Sequence, residues 1–143
     1  MVGFFHPNAD AAAGGEKVLF SALKALVELN KDGNSERKLK LVVYVTSSLT
    51  KKAILEKITA RFGIQIEENE VTFVSIPFGY ILKPENYPSF TILWQAVAQI
   101  QCLLWAYLQF PCDVMVESVG AGYGYLALKT VFKPVLVSYT HYP

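Results

Sequence analysis

The stretch Val2–Leu29, VGFFHPNADAAAGGEKVLFSALKALVEL, decides the fold. Four apolar residues, Val2–Phe5, run without a polar break, as in a strand buried on both faces. A loop of small and polar residues follows. From Glu16 to Leu29, Val18, Leu19, Ala22, Leu23 and Leu26 recur at helical spacing and predict an amphipathic helix. Strand, loop and helix in that order form the first part of a βαβ unit, the building block of a parallel sheet.

The same pattern continues along the chain. Asn30 to Lys40 is polar, carries Gly33 and reads as a surface loop. Leu41–Thr46 is a β-branched strand. Thr50–Phe62 is a helix with Ile54, Leu55, Ile58 and Phe62 on one face and Gly63 as its stop signal. Val71–Ile76 is a strand, and Pro77 to Pro88, with three prolines, is a loop. Phe90–Phe110 is a long helix, Val114–Glu117 a strand, Tyr125–Phe132 a short helix and Val135–Tyr139 the last strand. The alternation predicts one α/β domain over residues 1–143, a Rossmann-like, doubly wound and mostly parallel sheet with helices on both faces. No internal repeat and no linker marks a second domain within it.

Composition narrows the function classes. Of 143 residues, 52% are hydrophobic and 17% charged, and the formal net charge is +1. This excludes a disordered tail. With a sequence pI of about 7.7 the chain also lacks the basic footprint of a nucleic-acid binder. The apolar content exceeds the roughly 45–50% of an ordinary domain, so the excess must be covered by protein, a partner or lipid. Cys102 and Cys112 are read as buried thiols of a reducing compartment, without a zinc constellation. The N-terminus has neither a basic region nor a long apolar run, so no cleaved signal peptide is read.

Ligands of doubly wound sheets sit beyond the carboxyl ends of the strands, so the residues after each strand are the candidates. After the first strand, His6 to Glu16 leads through Gly14 and Gly15 into a helix N-terminus. Unpaired backbone N–H groups and the positive end of the dipole suit a phosphate or sugar-phosphate there, and glycine allows close approach. The alternative is an ordinary loop in which Glu16 merely complements the dipole. The spacing is not the dinucleotide G-x-G-x-x-G fingerprint. After the fourth strand a second glycine-rich turn carries Ser118 and Gly120, and after the fifth comes His141. The two histidines, His6 and His141, thus both follow strands, where imidazole can hydrogen-bond a sugar hydroxyl or a phosphate, or carry a proton. Asp10, Asp32 and Asp113 are scattered, so a metal-clamped nucleotide is disfavoured and no metal is expected. Neither a G-x-S-x-G elbow nor a Walker loop occurs, which argues against a hydrolase or an NTPase.

No charged side chain lies between Asn86 and Cys112. Within this stretch Ile92, Leu93, Ala96, Val97, Ile100, Leu103, Leu104, Tyr107 and Leu108 form a wide apolar face, and Gln95, Gln99, Cys102 and Gln109 a thin polar stripe. Its length approaches the ~20 residues of a bilayer span. Four glutamines and a position between two strands argue for a domain helix packed on the sheet, foremost one wholly in the core. A helix partly facing lipid and a full span are the alternatives.

Taken in order, GFFHP (Gly3 to Pro7), GGEKVL (Gly14 to Leu19), YPSFTILWQ (Tyr87 to Gln95), PCDVMVESVG (Pro111 to Gly120) and VSYTHYP (Val137 to Pro143) resemble segments of the α-1,2-mannosyltransferases that extend the dolichol-linked oligosaccharide for N-glycosylation. The resemblance implies the N-terminal, acceptor-side half of a GT-B glycosyltransferase. Such an enzyme transfers mannose from GDP-mannose, with retention and without another cofactor, to a lipid-linked oligosaccharide on the cytosolic face of the endoplasmic reticulum membrane. It further implies that Gly14 and Gly15 lie near the reacting sugar-phosphates, that Glu16 fixes their loop, and that His141 is the catalytic histidine beside the transferred sugar. His6, Ser118 and Gly120 complete the expected substrate-binding set. Ala12 and Ala13 stand where the family tends to have glycines, Lys17 replaces arginine, Glu117 replaces aspartate, and Phe78-Gly79 occupies a place where basic residues are expected. A donor-binding C-terminal domain with paired glutamates and an N-terminal membrane anchor are expected to be missing from this stretch. The membrane surface is an expected partner, and nucleic acid is not. Two other readings stay open: a non-catalytic, membrane-associated module that binds lipid-linked glycan or a partner subunit, and a GT-B transferase using another nucleotide sugar.

Overall fold

A computed structural model describes residues 1–32, 38–118 and 122–139. Five parallel strands, β1 (Val2–Phe5), β2 (Leu41–Val45), β3 (Val71–Ser75), β4 (Val114–Glu117) and β5 (Val135–Ser138), form one sheet in the order β3-β2-β1-β4-β5. Helices α1 (Gly14–Lys31) and α2 (Lys51–Phe62) cover one face, packing on Phe4, Val43 and Val45. Helices α3 (Thr91–Gln109) and α4 (Tyr123–Val131) belong to the other face, where Phe5, Val42, Tyr44 and Met115 are buried. This is the doubly wound arrangement predicted from the sequence.

The first strand is central. β1 pairs with β2 on one side and β4 on the other, so its backbone is satisfied from both edges and both its side-chain faces are buried. That explains its unbroken apolar composition. Gly3 is where the packing is tightest. A Cβ there would lie 2.8 Å from Tyr44 Cε2 and 2.9 Å from Cys112 Sγ. Tyr44 is immobilised, since its hydroxyl donates to the Phe110 carbonyl at 2.5 Å, so it has no room to yield. Both cysteines are free and buried, and burial pushes the Cys102 thiol up to about 11, which keeps it protonated.

Several expectations need correction. Helix α1 starts two residues before Glu16, at Gly14. Its buried stripe is Glu16, Leu19, Phe20, Leu23 and Val27, with Val18, Ala22 and Leu26 only half-buried. With the stripe rotated in this way, Glu16 faces inward to a buried partner described below. The proline-rich loop is not structureless: Gly79–Leu82 and Pro84–Asn86 are 3-10 turns packed beside α3, with Phe78 edge-on to Trp105 and Tyr87 stacked on Trp94. Helix α3 is not wholly core. Ala98, Cys102, Leu103 and Ala106 face inward, whereas Ile92, Leu93, Val97 and Leu108 from the wide apolar face are exposed. Small residues at i, i+4 and i+8 let the helix lie close to its neighbours and turn the bulky ones outward. Strand β5 is an edge whose Val135 and Val137 are exposed, so the cover of α1 and α2 stops short of it, while Leu136 packs on the opposite face.

The tight fit at Gly3 gives a direct test. Gly3→Ala is expected to destabilise the chain by about 1–3 kcal/mol, the usual penalty of overpacking a filled core. Urea unfolding measures it, and an unchanged midpoint would contradict this account of the central strand.

Candidate functional site

The carboxyl end of β1 delivers His6 into the interior. Its imidazole is only 4% exposed, and both ring nitrogens are engaged. Nδ1 lies 2.7 Å from Ser118 Oγ, at the exit of β4, and Nε2 lies 3.0 Å from Glu16 Oε1, in the first turn of α1. The second oxygen of Glu16 accepts the Ala13 N–H at 2.7 Å. Glu16 is therefore the N3 half of a capping box, while Ala13 at the cap has no hydroxyl to return the bond. Glu16 and Ser118 are as buried as His6, at 5% and 4% exposure.

The order serine, histidine, carboxylate resembles a hydrolytic triad, but the geometry differs where it matters. In such triads the serine bonds Nε2 and the acid bonds Nδ1. Here the nitrogens are exchanged, and Ser118 is enclosed. The cluster is a linkage between elements rather than an exposed nucleophile. Burial alone would push the Glu16 carboxyl up. Hydrogen bonds from His6 and from the backbone N–H groups of Glu16 and Ala13 outweigh it and hold the group below the usual 4.5.

Around this cluster the loop after β1 is pinned from several directions. His6 N–H donates to the Tyr44 carbonyl at 3.1 Å, and the Pro7 carbonyl accepts from Thr46 N–H at 2.8 Å and from its hydroxyl at 3.0 Å. Ser47 donates to Asp10 Oδ2 at 2.7 Å, and Lys57 Nζ donates to the Asp10 carbonyl at 2.6 Å. Ala9 is fully buried. The loop that delivers the glycine pair is thus a packed part of the domain.

The structure brings His6, Glu16 and Ser118 into one cluster and places Gly14 and Gly15 beside it as the first two residues of α1. A Cβ on Gly14 would meet nothing within 4 Å, so the chain's own packing does not require glycine there. Gly120 and His141 lie outside the described residues. Two participants escaped the sequence reading. Glu117, 2% exposed, brings a second buried carboxylate to the end of β4, and Asp10 organises the loop. The signal for Glu117 was present: a carboxylate closing a strand of otherwise apolar residues. Near the same edge, Phe90, Thr91, Ile92, Leu93, Ala96 and Tyr123 line an open, almost wholly apolar groove of about 700 Å³. Phe90 is 79% exposed and Ile92 73%.

Comparison with known proteins shows the family. The family described as "ALG11 mannosyltransferase N-terminus" matches residues 1–143. The chain belongs to this family. Relatives named "GDP-Man:Man(3)GlcNAc(2)-PP-Dol alpha-1,2-mannosyltransferase" are similar along its whole length. The protein from Eremothecium gossypii is 31% identical over 144 residues, covering 100% of this chain and 24% of the relative. The Mus musculus protein is 33% identical over 147 residues, covering 100% and 28%, and the Caenorhabditis elegans protein 31% identical over 143 residues, covering 99% and 29%. The chain therefore spans about a quarter of the length of these curated relatives. No solved structure matches it.

In the loop before α1, Ala12 adopts φ of 57°, in the left-handed region that glycine occupies without strain.

The depressed Glu16 carboxyl makes the site sensitive to acid. A group with a lowered folded pKa contributes stability above its unfolded value, and loses it as pH falls through the folded one. The unfolding midpoint of the unsubstituted chain is expected to exceed that of Glu16→Gln at neutral pH, with the gap closing below about pH 4.5. A gap that stays constant into acid would contradict the assignment.

Proposed function

We propose that the chain is the acceptor-side, Rossmann-like part of a GDP-mannose-dependent α-1,2-mannosyltransferase that extends a lipid-linked oligosaccharide. The observation that carries this reading is the family match over residues 1–143, met by a doubly wound sheet whose glycine pair opens α1 at the carboxyl edge. In the reaction the bond between the mannosyl C1 and the β-phosphate oxygen breaks and GDP departs. C1 bonds to an acceptor hydroxyl oxygen, whose proton passes to the departing phosphate oxygen. Negative charge grows on the departing phosphate, and preorganised N–H groups at a helix N-terminus stabilise it where it develops. Gly14 and Gly15 supply such groups without side-chain bulk, and His6 and Glu16 keep that turn in place. In this reading His141 contacts the transferred mannose and Gly120 gives the β4–α4 turn close access to substrate. A donor-binding domain closes the other side of the cleft, and no metal is needed.

The exposed apolar groove at the start of α3 supports a membrane location, which this reading takes to be the cytosolic face of the endoplasmic reticulum. It contains no charged side chain, and Phe90, which lines it, and Trp94 are exposed aromatics suited to a headgroup boundary. A lipid-linked acceptor presented at that surface would reach the sheet edge without leaving the membrane.

Two experiments check this. In the native polypeptide containing this chain, Gly14→Leu is expected to leave stability within about 0.5 kcal/mol, because the Cβ it adds meets nothing within 4 Å. Transfer of mannose should fall about 100-fold, because the side chain fills the approach of the sugar-phosphate. Undiminished transfer would refute the glycine-turn assignment. For the membrane face, the chain should float with phospholipid vesicles and the double variant Ile92→Glu, Leu93→Glu should not. Equal flotation of both would rule out α3 as the contact.

A further inference from the structure

His6 ties together two turns that belong to opposite faces of the sheet. Glu16 opens α1, which packs on one face, and Ser118 precedes α4, which packs on the other. The direction of the bond to Glu16 follows from chemistry. Glu16, held below the usual carboxylate range, is ionised at neutral pH and can only accept, so Nε2 must carry a hydrogen. Nδ1, on the other side of the ring, is hydrogen-bonded to the Ser118 hydroxyl at 2.7 Å, so the one imidazole joins the start of α1 to the exit of β4.

We propose that His6 is a positioning residue of the transfer reaction. In one hydrogen-bonded chain its imidazole joins the first turn of α1, through Glu16, to Ser118 at the exit of β4, so that the glycine pair is held at a set distance from the end of β4. The proposal rests on the mannosyltransferase reading above. It assigns His6, Glu16 and Ser118 to orientation rather than to direct substrate contact, in keeping with their burial. Misplacement of a reacting group by about 1 Å can slow an enzyme about 100-fold, so a buried linkage of this kind carries kinetic weight.

The test combines kinetics with a spectroscopic signature. In the native polypeptide containing this chain, His6→Ala is expected to lower kcat per folded enzyme by about 10–100-fold while KM for GDP-mannose moves less than about threefold. Ser118→Ala should add nothing further in the His6→Ala background, because its link to α1 through the imidazole is already gone. His6→Gln, whose amide can still reach Glu16, should recover part of the loss. In the unsubstituted chain, nitrogen-15 spectra of the imidazole should show a hydrogen on Nε2, the nitrogen that faces the Glu16 carboxylate. Full turnover by His6→Ala, multiplying losses in the double variant, or a bare Nε2 would each overturn the proposal while leaving mannose transfer intact. Failure of the unsubstituted enzyme to transfer mannose would overturn the function and the positioning role together, so the two failures are distinguishable.

Discussion

The rest of this structure depends on the burial of β1 between two neighbours. A central parallel strand must be apolar on both faces and must hand its last residues to the sheet's carboxyl edge. Val2–Phe5 meets the first demand, with Phe4 on the α1 side, Phe5 on the α3 side and Gly3 where Tyr44 and Cys112 leave no room for a side chain. His6 meets the second. It is the first polar residue after the strand, and it arrives buried, so each of its nitrogens needs a partner. Glu16 and Ser118 supply them, and in doing so set where α1 begins and how β4 ends.

The same constraint accounts for the character of the edge. Serine, carboxylate, glycine and pinned loop backbone surround one imidazole, and the hydrogen bonds run between different elements rather than along one. A site tied together in this way by bonds between elements is preorganised, which is what the proposed stabilisation of a departing phosphate requires. The apolar excess in the composition is divided between the strands, buried on both faces near the centre, and the outward side of α3. The latter is what the proposed membrane location rests on.

Much of this was legible in the sequence because strands and helices carry different periods. The five strands, the glycine stop at Gly63 and the doubly wound class all followed from local pattern, and Gly63 indeed closes α2 at φ of 68°. What was not legible depended on contacts across long separations. The rotation of α1 turns Glu16 towards His6, ten residues earlier, and nothing in the helix periodicity carries that information. Helix α3 is apolar nearly all round, so hydrophobicity alone could not tell its inner face from its outer one. The small residues Ala98, Cys102 and Ala106 were the available clue. At the site, the residue types after the strands were evident, but the bonds joining His6 to residues 10 and 112 positions away were not.

The most direct test of the central claim is chemical-shift mapping of the nitrogen-15-labelled chain with a short-chain, soluble analogue of the lipid-linked oligosaccharide. Binding at the carboxyl edge predicts perturbations at Gly14, Gly15, Ser118 and the start of α3, with Asn30, Lys31 and Leu39 at the opposite end unmoved. Perturbations clustered at that opposite end, or none at saturating analogue, would contradict it.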